Sequence, residues 1–336
     1  MATETIDTLV VGAGQAGIAM SEHLTALGIP HLVLERHRVA ERWRSERWDS
    51  LVANGPAWHD RFPNMDFDDI HPDSFPAKER MARYFEDYAR MIAAPIRTGV
   101  EVTRVERLAG RPGFRVATSQ GEIEAQRVVA ATGPFQKPDH PKIVPADAGV
   151  MQIHSSAYRN PGQLAPGAVL VVGGGASGSQ IAEELQRAGR RVYLSIGEHY
   201  RPPRSYRGRD YVWWLGVLGK WDEITIQSRK RHVAFAVSGY DGGKTVDFRR
   251  LAAGGVTLLG LTQTYADGRL SFAGDLAANI AEGDRAYLDV LREADAYVER
   301  NGLDLPPEPE AWEIGPDPAC VTDPIRELDL REAGIG

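Results

Sequence analysis

Two stretches of the chain carry the same pattern of apolar and polar positions. A short apolar run, Leu9 to Val11 in one and Val169 to Val172 in the other, is too short for a helix and predicts a buried parallel strand. Glycines follow at once: Gly12, Gly14 and Gly17 in "GAGQAG", then Gly173, Gly175 and Gly178 in "GGGASG". Apolar residues next recur at helical spacing, Ala16, Met20, Leu24 and Leu27 in the first and Ile181, Leu185 and Ala188 in the second. Gly28 and Gly189 stand where each helix should stop, suited to a left-handed C-cap. Second strands, "HLVLE" and "RVYLS", come after them. The interval from third glycine to capping glycine is the same in both copies, so the whole unit repeats in register.

That spacing has a physical purpose. The first glycine permits a tight turn, the second lets backbone approach a pyrophosphate, and the third lets helix and strand pack closely. The helix N-terminus then offers free N–H groups and partial positive charge to the phosphates. Gln15 and Ala16 in the first copy and Ser177 in the second lie in these turns and are expected among the cofactor-binding residues. The copies part company at the end of the second strand. The first ends in Glu35, followed by Arg36, and a carboxylate there accepts hydrogen bonds from a ribose diol. The second offers Ser195 with no acid, and Arg191, Arg201 and Arg204 lie close in sequence. Hydroxyl and guanidinium groups suit a 2′-phosphate, which a carboxylate would repel. The expectation is FAD at the first turn and NADPH at the second.

The segment between the copies holds an amphipathic helix in "FPAKERMARYFEDYARMI", with Met81, Tyr84, Phe85 and Tyr88 on one face. "IRTGVEVTRVERL" and "FRVATS" predict antiparallel strands, and "RVVAATG" another strand ending at the turn of Thr132 and Gly133. Short strands around the turn signals "YDGG" and "ADG", then a helix over about 276–300, follow the second copy. The expected architecture is α/β, with two Rossmann-like dinucleotide-binding domains and the NADPH domain inserted into the FAD domain. Residues 1–145 would form the FAD-binding part, 146–305 the NADPH-binding part, and 306–336 a linker returning toward the FAD domain.

Composition narrows the class. The 336 residues are 43% hydrophobic and 25% charged, ordinary for a globular enzyme, and long enough for two domains. A net charge of −7 without concentrated basic runs argues against nucleic acid or an anionic membrane as partner. No apolar run reaches the roughly 18 residues of a membrane span, and the acidic start "MATETID" lacks a leader's basic region, so a cytoplasmic location is expected. Cys320 is the one cysteine, too few for a disulfide reductase's thiol pair, and no metal-ligand cluster is evident.

Several further stretches, in order, resemble the flavin-containing monooxygenases and related group B flavoprotein monooxygenases, most closely their bacterial oxidoreductase branch. They are "GAGQAG", the "ERW" and "RW" after Glu35, "VANGP", "ATGPFQKP", "IHSSAY", the second glycine motif, "PPRSYRGRDYVWW" and "TDPIRELDL". The resemblance implies that Trp43 borders the flavin pocket, that Val102 offers its backbone to the adenine, and that Asn54 lies beside the reactive face of the flavin. It implies a neutral amide at Asn54 that bonds to a flavin hydroperoxide without adding charge. His154 matches a degenerate form of the family fingerprint, as a hinge residue, and Trp213 and Trp214 are expected to pack core or an interdomain surface. The implied reaction is oxygenation by O2 of an N, S or carbonyl centre in a small-molecule substrate, at the expense of NADPH. The alternative is a non-catalytic or split nucleotide-binding protein. The family pattern runs on past "TDPIRELDLREAGI" into another strand, so a homodimer or partner segment completing the FAD domain is also expected.

Overall fold

The computed structural model describes residues 3–223 and 234–336. The chain divides into two compact units, one of Met1–Leu51 with Asp60–Asp139 and one of Val52–His59 with His140–Gly336.

The first unit is built on a six-stranded sheet. Its elements are β1 (Glu4–Val11), α1 (Gln15–Ala26), β2 (His31–Glu35), α2 (Glu41–Ser45), α3 (Lys78–Met91), β3 (Ile96–Thr98), β4 (Val102–Arg107), β5 (Phe114–Thr118) and β6 (Gly121–Ala130). The strand order is β3-β2-β1-β6-β5-β4. The first four run parallel, while β5 and β4 are antiparallel additions. Successive side chains of β1 point to opposite faces. Leu9 joins Leu34, Val116 and Ile123 on one side, and Val10 joins Leu24 and Val33 under α1 on the other. The expected single strand "IRTGVEVTRVERL" is divided instead. Gly99, at φ +72°, separates parallel β3 from antiparallel β4. The aromatic face of α3 is buried, with Phe62 stacked on Tyr88 and Phe67 on Tyr84, each at 4.1 Å between ring centroids.

The second unit repeats the first motif on a smaller sheet. Strand β7 (Val169–Val172), helix α4 (Ala176–Arg187) and strand β8 (Val192–Ser195) lead to a two-residue strand β9 (His199–Tyr200). A small hairpin of β10 (Ser205–Tyr206) and β11 (Arg209–Asp210) opens α5 (Tyr211–Val217). Then come β12 (Ala234–Phe235), α6 (Phe248–Ala253), β13 (Thr257–Leu259), β14 (Thr262–Ala266), β15 (Arg269–Phe272), α7 (Leu276–Asn301), α8 (Ala319–Thr322) and β16 (Glu327–Asp329). Strands β13, β8 and β7 form a parallel sheet; β14, β15 and β16 form an antiparallel one.

"ADG" makes the expected hairpin turn between β14 and β15, whereas "YDGG" closes one tight helical turn with Asp241 at φ +52°. Trp214 is fully buried and donates to the Tyr206 carbonyl at 3.0 Å. Residues 306–336 were expected to lead back to the first domain, but they pack in the second unit. There β16 pairs with β15, and Leu328, Leu330 and Ala333 share a core with Tyr193 and Leu259. The reason is apolar: Leu328, Leu330 and Ala333 are buried in one cluster with Leu270 and Phe272 of β15.

Candidate functional sites: two glycine turns and the Asn54 loop

The first turn is shaped by close approaches that only glycine permits. A Cβ on Gly12, whose φ is +107°, would lie 2.5 Å from the Ala131 carbonyl oxygen, and one on Gly17 would lie 1.8 Å from the Gly12 oxygen. Gly14 by contrast faces open space. It precedes α1, whose N-terminus has no side-chain cap, so its first amides stay available to an anion. Gln15 and Ala16 begin that helix and are exposed. Thr132 and Gly133 follow β6 beside Ala131, the residue against which Gly12 packs.

Glu35 ends β2 with both carboxylate oxygens already oriented. Its Oε2 accepts from the Ala13 N–H and its Oε1 from the His37 N–H, each at 2.9 Å. Each oxygen keeps a second acceptor site for a ribose hydroxyl. The Val100 N–H donates to the Glu35 carbonyl at 3.0 Å, which brings the start of β4 at Val102 alongside. Arg36 is exposed. Trp43, on α2, packs edge-on against Phe85 at 6.3 Å. Open space at Gly14, uncapped amides and an oriented carboxylate fit a dinucleotide with a free ribose diol.

Sequence reading missed Arg47. Its guanidinium lies against the Trp43 and Phe135 rings, 6.0 and 5.6 Å from their centroids, with no carboxylate partner among the described residues. Burial pulls it below the usual guanidinium range. A lone Arg in "ERW" carries no sequence signal for this, because Phe135 arrives from a distant turn.

The second turn repeats the close approach at its third glycine, while a Cβ on Gly173 would meet nothing within 4 Å. Gly173 has φ +112°, and a Cβ on Gly178 would lie 1.8 Å from the Gly173 oxygen. At Gly175 the space is bordered by Ala234, whose Cβ is 3.4 Å from where a glycine Cβ would be. Helix α4 also lacks a side-chain cap, and Ser177, in its first turn, is half-buried.

The groups expected to take a 2′-phosphate are committed elsewhere. Ser195 is 2% exposed. Its hydroxyl donates to the Gly260 carbonyl at 2.8 Å and accepts from the Thr262 N–H at 3.1 Å and the Thr262 hydroxyl at 2.8 Å. One donor and two acceptor sites are all a hydroxyl has. Arg204, 4% exposed, forks onto Asp210 at 2.5–2.9 Å. Arg201 pairs with buried Asp284 at 2.7 Å, and Arg191 donates to the Ala333 carbonyl at 3.0 Å. Ser195 and Arg204 are therefore corrected from nucleotide ligands to parts of the scaffold.

Asn54, with the loop Val52–His59, lies in the second unit rather than the first. Its Oδ1 accepts from Gln180 Nε2 at 3.0 Å, and its main-chain oxygen accepts from Arg204 Nη1 at 2.6 Å. His154 makes a local turn, with Nδ1 2.9 Å from the Ser156 hydroxyl and its ring 5.5 Å from His140. No group of three or more metal-ligating side chains occurs among the described residues, and no helix there is long and apolar enough to cross a membrane.

Two glycine turns of this build, each following a strand with a parallel neighbour, define a protein with two dinucleotide-binding folds. Residues 9–215 match the family model for pyridine nucleotide-disulphide oxidoreductases, and the chain belongs to that family. It is 41% identical over 217 residues to a CzcO-like oxidoreductase of Geobacillus kaustophilus, covering 64% of this chain and 61% of that one. It is 33% identical over 266 residues to the indole-3-pyruvate monooxygenase YUCCA1 of Oryza sativa subsp. japonica, covering 76% and 63%. The chain thus spans under two thirds of the length of either relative. Among solved structures, a flavin monooxygenase from Stenotrophomonas maltophilia shares the fold at TM-score 0.64 and 21% identity, over 81% of this chain and 74% of that one. The likeness to flavin-containing monooxygenases read from the sequence is borne out, and family and fold support FAD and NADPH as cofactors.

Proposed function

We propose that the protein is an NADPH-dependent flavin monooxygenase that oxygenates a nucleophilic N or S centre, or a carbonyl, in a small molecule. The observation that carries this reading is the pair of uncapped glycine turns in one chain, the first open at Gly14 and paired with a ribose-type carboxylate at Glu35. Bound FAD would supply the redox centre that activates O2, and NADPH the hydride. The chain's own part is binding, orientation and hydrogen bonding. Gly12, Gly14 and Gly17 would shape the FAD pyrophosphate turn, with Gln15 and Ala16 as its exposed first helical residues. Glu35 would hold the ribose, with Arg36 and Val102 bordering the adenosine and Trp43, Thr132 and Gly133 the flavin side. Gly173, Gly175, Ser177 and Gly178 would receive NADPH. Asn54 would present a neutral amide to the reacting oxygen.

The relatives named oxidoreductase and monooxygenase support the class of reaction. The single cysteine, Cys320, leaves this chain without the thiol pair that the disulphide in the family name refers to. The test is NADPH-dependent oxygen uptake by FAD-loaded protein across a panel of amines, sulfides and ketones. An oxygenated product from one class supports the reading. Hydrogen peroxide as the sole product with every class overturns it.

A further inference from the structure

Gln180 is a buried amide whose hydrogen bonds leave its own helix. It is 7% exposed, on α4 two residues past Gly178, and its Nε2 lies 2.7 Å from the Val237 carbonyl and 3.0 Å from Asn54 Oδ1. An amide's oxygen and nitrogen have nearly the same shape, so its partners decide which way it points. The Val237 carbonyl only accepts, so the Gln180 atom facing it must be the NH2 group. The second hydrogen of that nitrogen then points at Asn54, and Asn54 must answer with its oxygen. Its own Nδ2, carrying two donors, is left on the exposed side with no partner among the described residues. The main chain at residue 54 is fixed separately by Arg204, itself held by Asp210.

We propose that Gln180 is a positioning residue for the reaction: through the Val237 carbonyl it locks the Asn54 amide with oxygen inward and N–H donors outward. The proposal rests on the reading of Asn54 as the residue that meets the reacting oxygen. An unlocked amide turns its oxygen outward part of the time, and that oxygen repels an electron-rich partner where a donor would stabilise it. Gln180 also rides on the helix that opens at the second glycine turn, so the lock and the NADPH turn share one rigid element.

The test is a double-mutant cycle of Gln180→Leu and Asn54→Asp, read in two ways. The first readout needs neither cofactor nor activity. Selective 15N-asparagine labelling gives side-chain signals for the chain's five asparagines, and the pair that vanishes in N54D belongs to Asn54. That pair should be rigid in the wild-type protein and mobile in Q180L. The second readout is the share of NADPH electrons recovered in oxygenated product rather than peroxide. Q180L should lower it about threefold or more, with the NADPH KM unchanged within about twofold. In the N54D background, which has no donor to orient, Q180L should add no further loss; a merely structural role would add its loss in both backgrounds. An Asn54 signal equally rigid in Q180L, or additive losses in the cycle, overturns the proposal. Wild-type protein that never couples NADPH to oxygenation would sink the functional reading instead, and the NMR readout would then decide the lock alone.

Discussion

Replacing Ser195 by alanine separates a scaffold hydroxyl from a nucleotide ligand. The change removes one donated and two accepted hydrogen bonds, all between buried partners, at 2.8, 3.1 and 2.8 Å. The Gly260 carbonyl and the Thr262 N–H lose their partner where β8 meets the start of β14. A buried polar group left unmatched costs about 1–3 kcal/mol, and the freed Thr262 hydroxyl can recover part of that by turning to another acceptor. The expected loss is about 3 kcal/mol of stability in the second unit. It should appear in urea unfolding as a lower midpoint with an unchanged slope. NADPH affinity, measured by calorimetry on folded protein, should stay within about twofold, because no lone pair or proton of Ser195 is left for a phosphate. An unchanged unfolding midpoint with affinity weakened about tenfold, the size of one lost charge-assisted bond, would refute this reasoning and restore Ser195 as a ligand.

Four further outcomes follow from the same geometry. Gly17→Ala should cost the first unit its fold or most of its stability, since the new Cβ would meet the Gly12 oxygen at 1.8 Å. Gly14→Ala should fold normally yet weaken FAD binding about tenfold or more, as measured by flavin fluorescence. Arg204→Ala leaves Asp210 uncompensated and should destabilise the second unit by about 3–5 kcal/mol in urea unfolding, because it breaks a pair whose arginine side chain is 3% exposed. His199 is 2% exposed, and burial holds its imidazole below the ordinary histidine range. Its Nδ1 lies 3.1 Å from the Gly197 carbonyl, and its Nε2 has no partner among the described residues. The unfolded chain then binds a proton that the folded one refuses. Stability contributed by neutral His199 is full above the unfolded pKa and falls as pH drops from there to the lower folded pKa, with a slope of at most about 1.4 kcal/mol per pH unit. Urea unfolding at a series of pH values should show His199→Asn lacking this acid-side slope.

Much of the fold was legible because it is encoded locally. Apolar runs, glycine spacing and the capping glycines placed both β–α–β units, and Gly28 and Gly189 take positive φ as a left-handed cap requires. The aromatic face of α3 was visible in its spacing for the same reason. The sites were legible only where backbone carries them, as at Gly12, Gly14 and Gly17. Ser195, Arg201 and Arg204 read as phosphate ligands because sequence shows charge and not commitment. Asp284 and Asp210, which pair with the two arginines, follow them in the chain by 83 and 6 residues. Gln180 gave no signal at all, because a polar residue on a helix looks solvent-facing until the Asn54 loop closes over it.

The proposed function requires electrons to pass from NADPH to FAD within this chain. Anaerobic titration of the FAD-loaded protein with NADPH, followed by absorbance, tests it most directly. The account predicts bleaching of the oxidised flavin band with one NADPH per FAD. A flavin that stays bound and fully oxidised in excess NADPH would contradict it.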